Sequence, residues 1–124
     1  MSFDRNTMSV TKSLAMTRDV YGTIIGVNGC LFGQYIRMNP GDRFLLGRDP
    51  SQCDVVLNNQ KVSAVHLQLI YDGRKGVYRA TNKSRSNGTV LVSEAKKLAD
   101  DVEVELKPGA HLFLGCTEEE IILG

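Results

Sequence analysis

Ser63 stands three residues before His66 in the stretch VSAVHLQLIYDG, Val62–Gly73. A serine and a histidine are two members of a nucleophilic triad, and histidine is also the commonest metal ligand. Catalysis would need the imidazole within hydrogen-bond reach of the hydroxyl and a third group to orient the imidazole. Along an extended chain, residues three apart point to opposite faces, so the pair meets only if the backbone turns. No carboxylate follows before Asp72, and there is neither a G-x-S-x-G elbow nor a Gly-rich phosphate loop of the P-loop type. Cys30, Cys53, Cys116 and His111 offer no ligand spacing and no CxxC pair for a metal. The residues therefore predict no catalytic centre, no metal site and no cofactor. For Ser63 two roles remain, a hydroxyl that satisfies loop backbone or one that touches a ligand. For His66 the expected role is bracing a loop from within.

The elements around this pair read as short strands. Thr23–Val27, Gln34–Met38, Arg43–Leu46, Val55–Leu57, His66–Tyr71, Gly76–Thr81, Thr89–Val92, Val102–Leu106, His111–Gly115 and Glu120–Leu123 are β-rich runs separated by Gly, Pro, Asn and Asp. That texture predicts an all-β sandwich or barrel. The one helix-capable stretch is Ser93–Asp100, with Ser93 as its N-cap. Residues 1–20 are rich in Ser and Thr without periodicity and read as a flexible tail or linker, leaving one domain over 21–124. A sandwich carries function on loops at one end. The unusual loops here are GRDPSQCD (Gly47–Asp54), NQKVSAVH (Asn59–His66) and NKSRSNGT (Asn82–Thr89).

Composition narrows the function classes. The chain has 124 residues, 42% hydrophobic and 23% charged, with formal net charge +1. Near-neutral charge argues against a nucleic-acid partner or an anionic membrane surface, yet leaves room for a small anion site built from a few cations. No apolar run is long enough to cross a bilayer, and the three widely spaced cysteines suit reduced thiols in a cytoplasmic protein.

Taken together, the three loops resemble a forkhead-associated (FHA) domain. The resemblance rests on Gly47-Arg48 after a strand, Ser63-x-x-His66 before one and Asn87-Gly88-Thr89 at the start of another, in the family's order and spacing. Asn82 stands where the family often has Asp, and KPGAHLFLG (Lys107–Gly115) resembles the family's L-x-x-G-D-x-I-x-L-G ending. The resemblance covers about residues 21–124. It implies an eleven-stranded β-sandwich of the SMAD/FHA-like type that binds phosphothreonine peptides and performs no catalysis.

Carried to this chain, the resemblance implies that Arg48 grips the phosphate and Ser63 donates to it. Ser86 would add a hydroxyl, and Asn87 would hold the ligand main chain. Gly47 and Gly88 would serve backbone geometry, His66 would brace the loops and Thr89 would steady the start of the next strand. Lys61 and Arg85 would select acidic neighbours of the phosphothreonine. Ala64 departs from the family, which commonly has a basic or polar residue there. The implied partner is a phosphothreonine-containing protein or peptide, such as a Ser/Thr kinase or its substrate. The rival class is a phosphate-independent assembly domain of a larger membrane or secretion protein. Thr7 and Thr11 are candidate phosphosites for the domain itself.

Overall fold

The computed structural model describes residues 20–124. The expectations for the tail, including Thr7 and Thr11, lie outside the described residues. Eleven strands follow one another: β1 Gly22–Asn28, β2 Tyr35–Met38, β3 Arg43–Gly47, β4 Val55–Val56, β5 Leu67–Asp72, β6 Val77–Asn82, β7 Thr89–Leu91, β8 Lys96–Lys97, β9 Glu103–Leu106, β10 His111–Leu114 and β11 Glu120–Leu123. They form two sheets, one in the order β2-β1-β11-β10-β7-β8 and the other in the order β4-β3-β5-β6-β9. The all-β sandwich expected from the sequence is the fold observed.

Period-two burial explains the packing. In β5, Leu67, Leu69 and Tyr71 are buried while Gln68, Ile70 and Asp72 alternate with them as half-buried positions. Ile24, Met38, Leu46, Leu112, Leu114, Ile121 and Leu123 close the core from the neighbouring strands at 0% exposure. A bulge between Gly26 and Asn28 ends the regular pairing of β1 with β11. Gly26 is required there, because a Cβ would lie 1.7 Å from the Leu31 carbonyl oxygen.

Ser93–Asp100, the one helix-capable stretch and a short one, forms no α-helix. Val92–Glu94 make one 3-10 turn with no side-chain cap, and Ala95 reverses the chain in the left-handed region at φ 49°. Lys96 and Lys97 then pair with Leu91 and Val90 as β8. So short a segment gains too few hydrogen bonds to offset helix nucleation, and a hairpin supplies them at once.

One connection shapes the functional end. β3 and β4 are parallel neighbours, pairing Leu46 with Val55 and Gly47 with Val56. Parallel strands ordinarily need a long crossover. Here residues 48–54 fold back over the end of β3 instead. Asp49 organises that loop. Its carboxylate accepts from the Ser51 backbone N–H (2.9 Å), the Ser51 hydroxyl (2.8 Å) and Gln52 Nε2 (2.7 Å). The Gln52 and Ser51 donors hold the Asp49 carboxyl below its usual range. Asp54 closes the loop, its carboxylate accepting from the Leu45 backbone N–H at 2.8 Å.

Candidate functional site

The three unusual loops meet through their backbones first. Arg48 N–H donates to the Ser63 carbonyl (3.0 Å) and Asp49 N–H to the Ala64 carbonyl (3.1 Å). This approach fixes the identity of Gly47, where a Cβ would sit 2.3 Å from the Ala64 oxygen. The exposed Arg48 then reaches along the neighbouring loop. Its Nη1 donates to the carbonyls of Val62 (2.5 Å) and Gln60 (3.2 Å). Among the described residues no carboxylate lies in ion-pair range of Arg48. Its charge is held in place by neutral carbonyls, and its fork remains available to a planar or tetrahedral anion.

His66 is wholly buried behind this surface. Its Nδ1 accepts from the Ser63 backbone N–H (3.0 Å), so that nitrogen carries no proton. Its Nε2 lies 2.8 Å from the Gly88 carbonyl and must be the donor. The ring is thus the neutral Nε2–H tautomer. Burial pushes its pKa below the ordinary 6.5, and the Gly88 carbonyl offsets this in part. Both nitrogens are committed to backbone, and neither faces the Ser63 hydroxyl. The geometry of a serine and its general base is not formed.

The Ser63 hydroxyl belongs to a directed chain of hydrogen bonds. Gly88 N–H donates to Ser84 Oγ at 3.1 Å. Ser84 is 1% exposed, and the acceptor in reach of its hydroxyl proton is Ser63 Oγ at 2.7 Å. With Ser84 as the donor of that bond, Ser63 accepts from below and keeps its own proton for the surface. Ser86 Oγ lies there at 3.1 Å. A bound anion could take that proton in its place.

Asn87 Nδ2 donates to the Lys61 carbonyl at 2.8 Å, which ties the third loop to the second. Gly88 sits at φ 76°, a conformation that favours glycine. Its carbonyl accepts from both His66 and Gly115 N–H, the latter at 3.0 Å. Thr89 is buried and donates to Asn82 Oδ1 at 2.9 Å. Asn82, also buried, donates to the Ser84 carbonyl and to Asp100 Oδ1, both at 2.9 Å. Arg48, Ser63, Ser86 and Asn87 thus share one surface, with Gly47, His66, Gly88 and Thr89 beneath or beside them.

The flanking cations divide. Lys61 contributes its carbonyl to the cluster, and its ammonium has no ion-pair partner among the described residues. Arg85 is instead drawn to Asp101 in a close ion pair, and Lys83 Nζ lies 3.5 Å from the same carboxylate. Three contributors escape the sequence reading. Ser84 has a local signal, since a hydroxyl two residues after Asn82 suits an Asx-type turn, with Ser84 N–H directed at Asn82 Oδ1 (3.3 Å). Asn59 and Glu119 have none, because they meet across sixty positions of sequence.

Residues 27–121 match the family described as the inner membrane component of T3SS, cytoplasmic domain. Similar solved structures include the FHA domain of an Arabidopsis thaliana hypothetical protein. It is 22% identical at TM-score 0.74, covering 94% of this chain and 93% of that one. The cytoplasmic domain of the T3SS sorting platform protein PscD from P. aeruginosa is 22% identical at TM-score 0.66, covering 83% of this chain and 78% of that one. A MEK1 FHA domain in complex with a phosphothreonine peptide of HOP1 is 21% identical at TM-score 0.65, covering 82% of this chain and 93% of that one. No curated protein sequence matches. Among the described residues no helix is long and apolar enough to cross a membrane.

Proposed function

The chain belongs to the family of T3SS inner-membrane-component cytoplasmic domains and is an FHA domain, and from that premise we propose that its loop end recognises phosphothreonine peptides without catalysis. The observation that carries this reading is the Arg48 guanidinium, positioned by two backbone carbonyls of the loop that carries the Ser63 hydroxyl. A phosphothreonine brings about −1.5 to −2 charges and three acceptor oxygens at neutral pH. Arg48 supplies the charge and two parallel donors; Ser63 and Ser86 supply neutral donors. The Asn87 amide, which both donates and accepts, suits the main chain beside the phosphorylated residue. Lys61 selects acidic neighbours of the phosphothreonine, and Arg85 does so in competition with Asp101. The MEK1 complex supports the ligand class by the likeness of its fold. In this reading residues 21–124 are the binding domain, and they act in the cytoplasm on a phosphorylated partner of a Ser/Thr kinase pathway.

The test is capture from a degenerate phosphothreonine peptide pool before and after phosphatase treatment. Retention of the phosphorylated pool alone is expected. Capture that survives dephosphorylation would instead support the second reading, an assembly domain of a larger membrane-associated protein. That reading is favoured by the T3SS family match and by Phe32 and Tyr35, each 73% exposed beside or on edge strand β2.

A further inference from the structure

Glu119 is 0% exposed and has no cation in ion-pair range among the described residues. A buried carboxylate without a counter-charge is costly unless its oxygens are hydrogen-bonded. Both are. Oε1 accepts from Asn59 Nδ2 at 3.0 Å and Oε2 from the Cys30 backbone N–H at 2.9 Å. Space for the group comes from Gly29, at φ 94°, where a Cβ would lie 2.7 Å from Oε1. Burial and the nearby Glu119 carboxylate also push the Cys30 thiol up.

Asn59 passes this anchorage to the recognition loop. Its Oδ1 accepts from Lys61 N–H and its carbonyl from Val62 N–H, both at 2.9 Å. The result is a closed turn over residues 59–62. The three carbonyls within that turn receive the candidate binding residues: Gln60 and Val62 take Arg48, and Lys61 takes Asn87.

We propose that Glu119 is a positioning residue for peptide binding, holding through Asn59 the turn that aims Arg48 and Asn87. The inference rests on the phosphopeptide reading. An apolar residue would fill the space beneath the turn at less cost, but it would leave the Asn59 amide free to rotate and release Lys61 N–H.

A donor–acceptor swap tests it. Glu119→Gln presents an amide to one of two donors, and Asn59→Asp sets two carboxylates against each other. Together, Asn59→Asp and Glu119→Gln restore the bonds among Cys30, Asn59, Lys61 and Glu119, and lose the long Asn59 Nδ2–Cys116 Sγ contact of 3.7 Å. The amide introduced at position 119 donates to the carboxylate introduced at position 59, and its carbonyl oxygen accepts from Cys30 N–H. The new carboxylate still accepts from Lys61 N–H. Each single variant should lower affinity for an enriched phosphothreonine peptide about tenfold, the scale of one unsatisfied buried polar group. Amide exchange at Lys61 and Val62 should quicken alongside. The double variant should return both readouts to near wild type, and in an Arg48→Ala background Glu119→Gln should cost less than in wild type. Single variants that bind and exchange like wild type, or a double variant no better than the singles, would overturn the proposal. Should a single variant fail to fold, recovery of folding and binding in the double supports the anchor, and failure of the double overturns it. Should wild type bind no phosphopeptide, the functional reading falls by itself, and the exchange rates alone judge the anchor.

Discussion

Among the described residues, Arg48 carries the one guanidinium fork of the three loops that no acid engages, and backbone carbonyls set it in place. Truncating it should cost about 2–5 kcal/mol of peptide binding, the usual scale for removing one partner of a desolvated charge pair. Arg48→Lys should restore little, since an ammonium has no planar fork to share between carbonyls and phosphate. Calorimetry of both variants with one phosphopeptide checks this. Ser84 acts at the same scale from beneath. Ser84→Ala leaves the buried Gly88 N–H without its acceptor and should destabilise the fold by about 1–3 kcal/mol in denaturant titration. Binding should weaken too, because the Ser63 hydroxyl loses its fixed direction. His66 supplies a pH signature. Its pKa is depressed in the fold relative to 6.5, so the unfolded chain binds more protons in that window. The stability it contributes is complete above about 6.5 and is lost as pH falls toward the folded value. The stability gap between wild type and His66→Gln should narrow over that descent, as urea midpoints at several pH values would report.

Gly47-Arg48, Ser63-x-x-His66 and Asn87-Gly88-Thr89 were legible as elements of a site because each sits at a strand boundary, where chain direction and residue type constrain one another. Gly47 shows how local that information is. Its identity follows from the Ala64 carbonyl that pairs with the next loop, and Gly47→Ala should cost about 1–3 kcal/mol through overpacking, with loss of binding as the loop shifts. A melting curve and a binding isotherm on that variant measure both effects. Lys96–Lys97 was not legible as a strand, because two exposed lysines show no alternation and the preceding residues resemble a short helix. Asn59 and Glu119 were hidden for a different reason. Their partnership is tertiary, and a glutamate among Glu118, Glu119 and Glu120 looks like one more solvated charge until the fold buries it. The pairing of Arg85 with Asp101 is likewise a contact between loops that sequence order does not announce.

At the scale of the molecule, two sheets share one core, and three loops gather at one end of it. The hydrogen bonds that aim Arg48 and Asn87 run between loops, so the surface is set by the closed sandwich rather than by any one segment. Such a surface is largely formed before a ligand arrives, which reduces the ordering cost of binding. The edge strand β2, with Tyr35 on it and Phe32 beside it, exposes apolar side chains through which a phosphate-independent contact would not need Arg48 at all. The two readings therefore separate cleanly. The most direct measurement is a calorimetric titration of the folded chain with one phosphothreonine peptide and its unphosphorylated twin, repeated with Arg48→Ala. The account predicts saturable binding of the phosphopeptide by wild type, none of the twin, and loss of about 2–5 kcal/mol in the variant. Equal binding of both peptides, or equal affinity of wild type and Arg48→Ala, would contradict it.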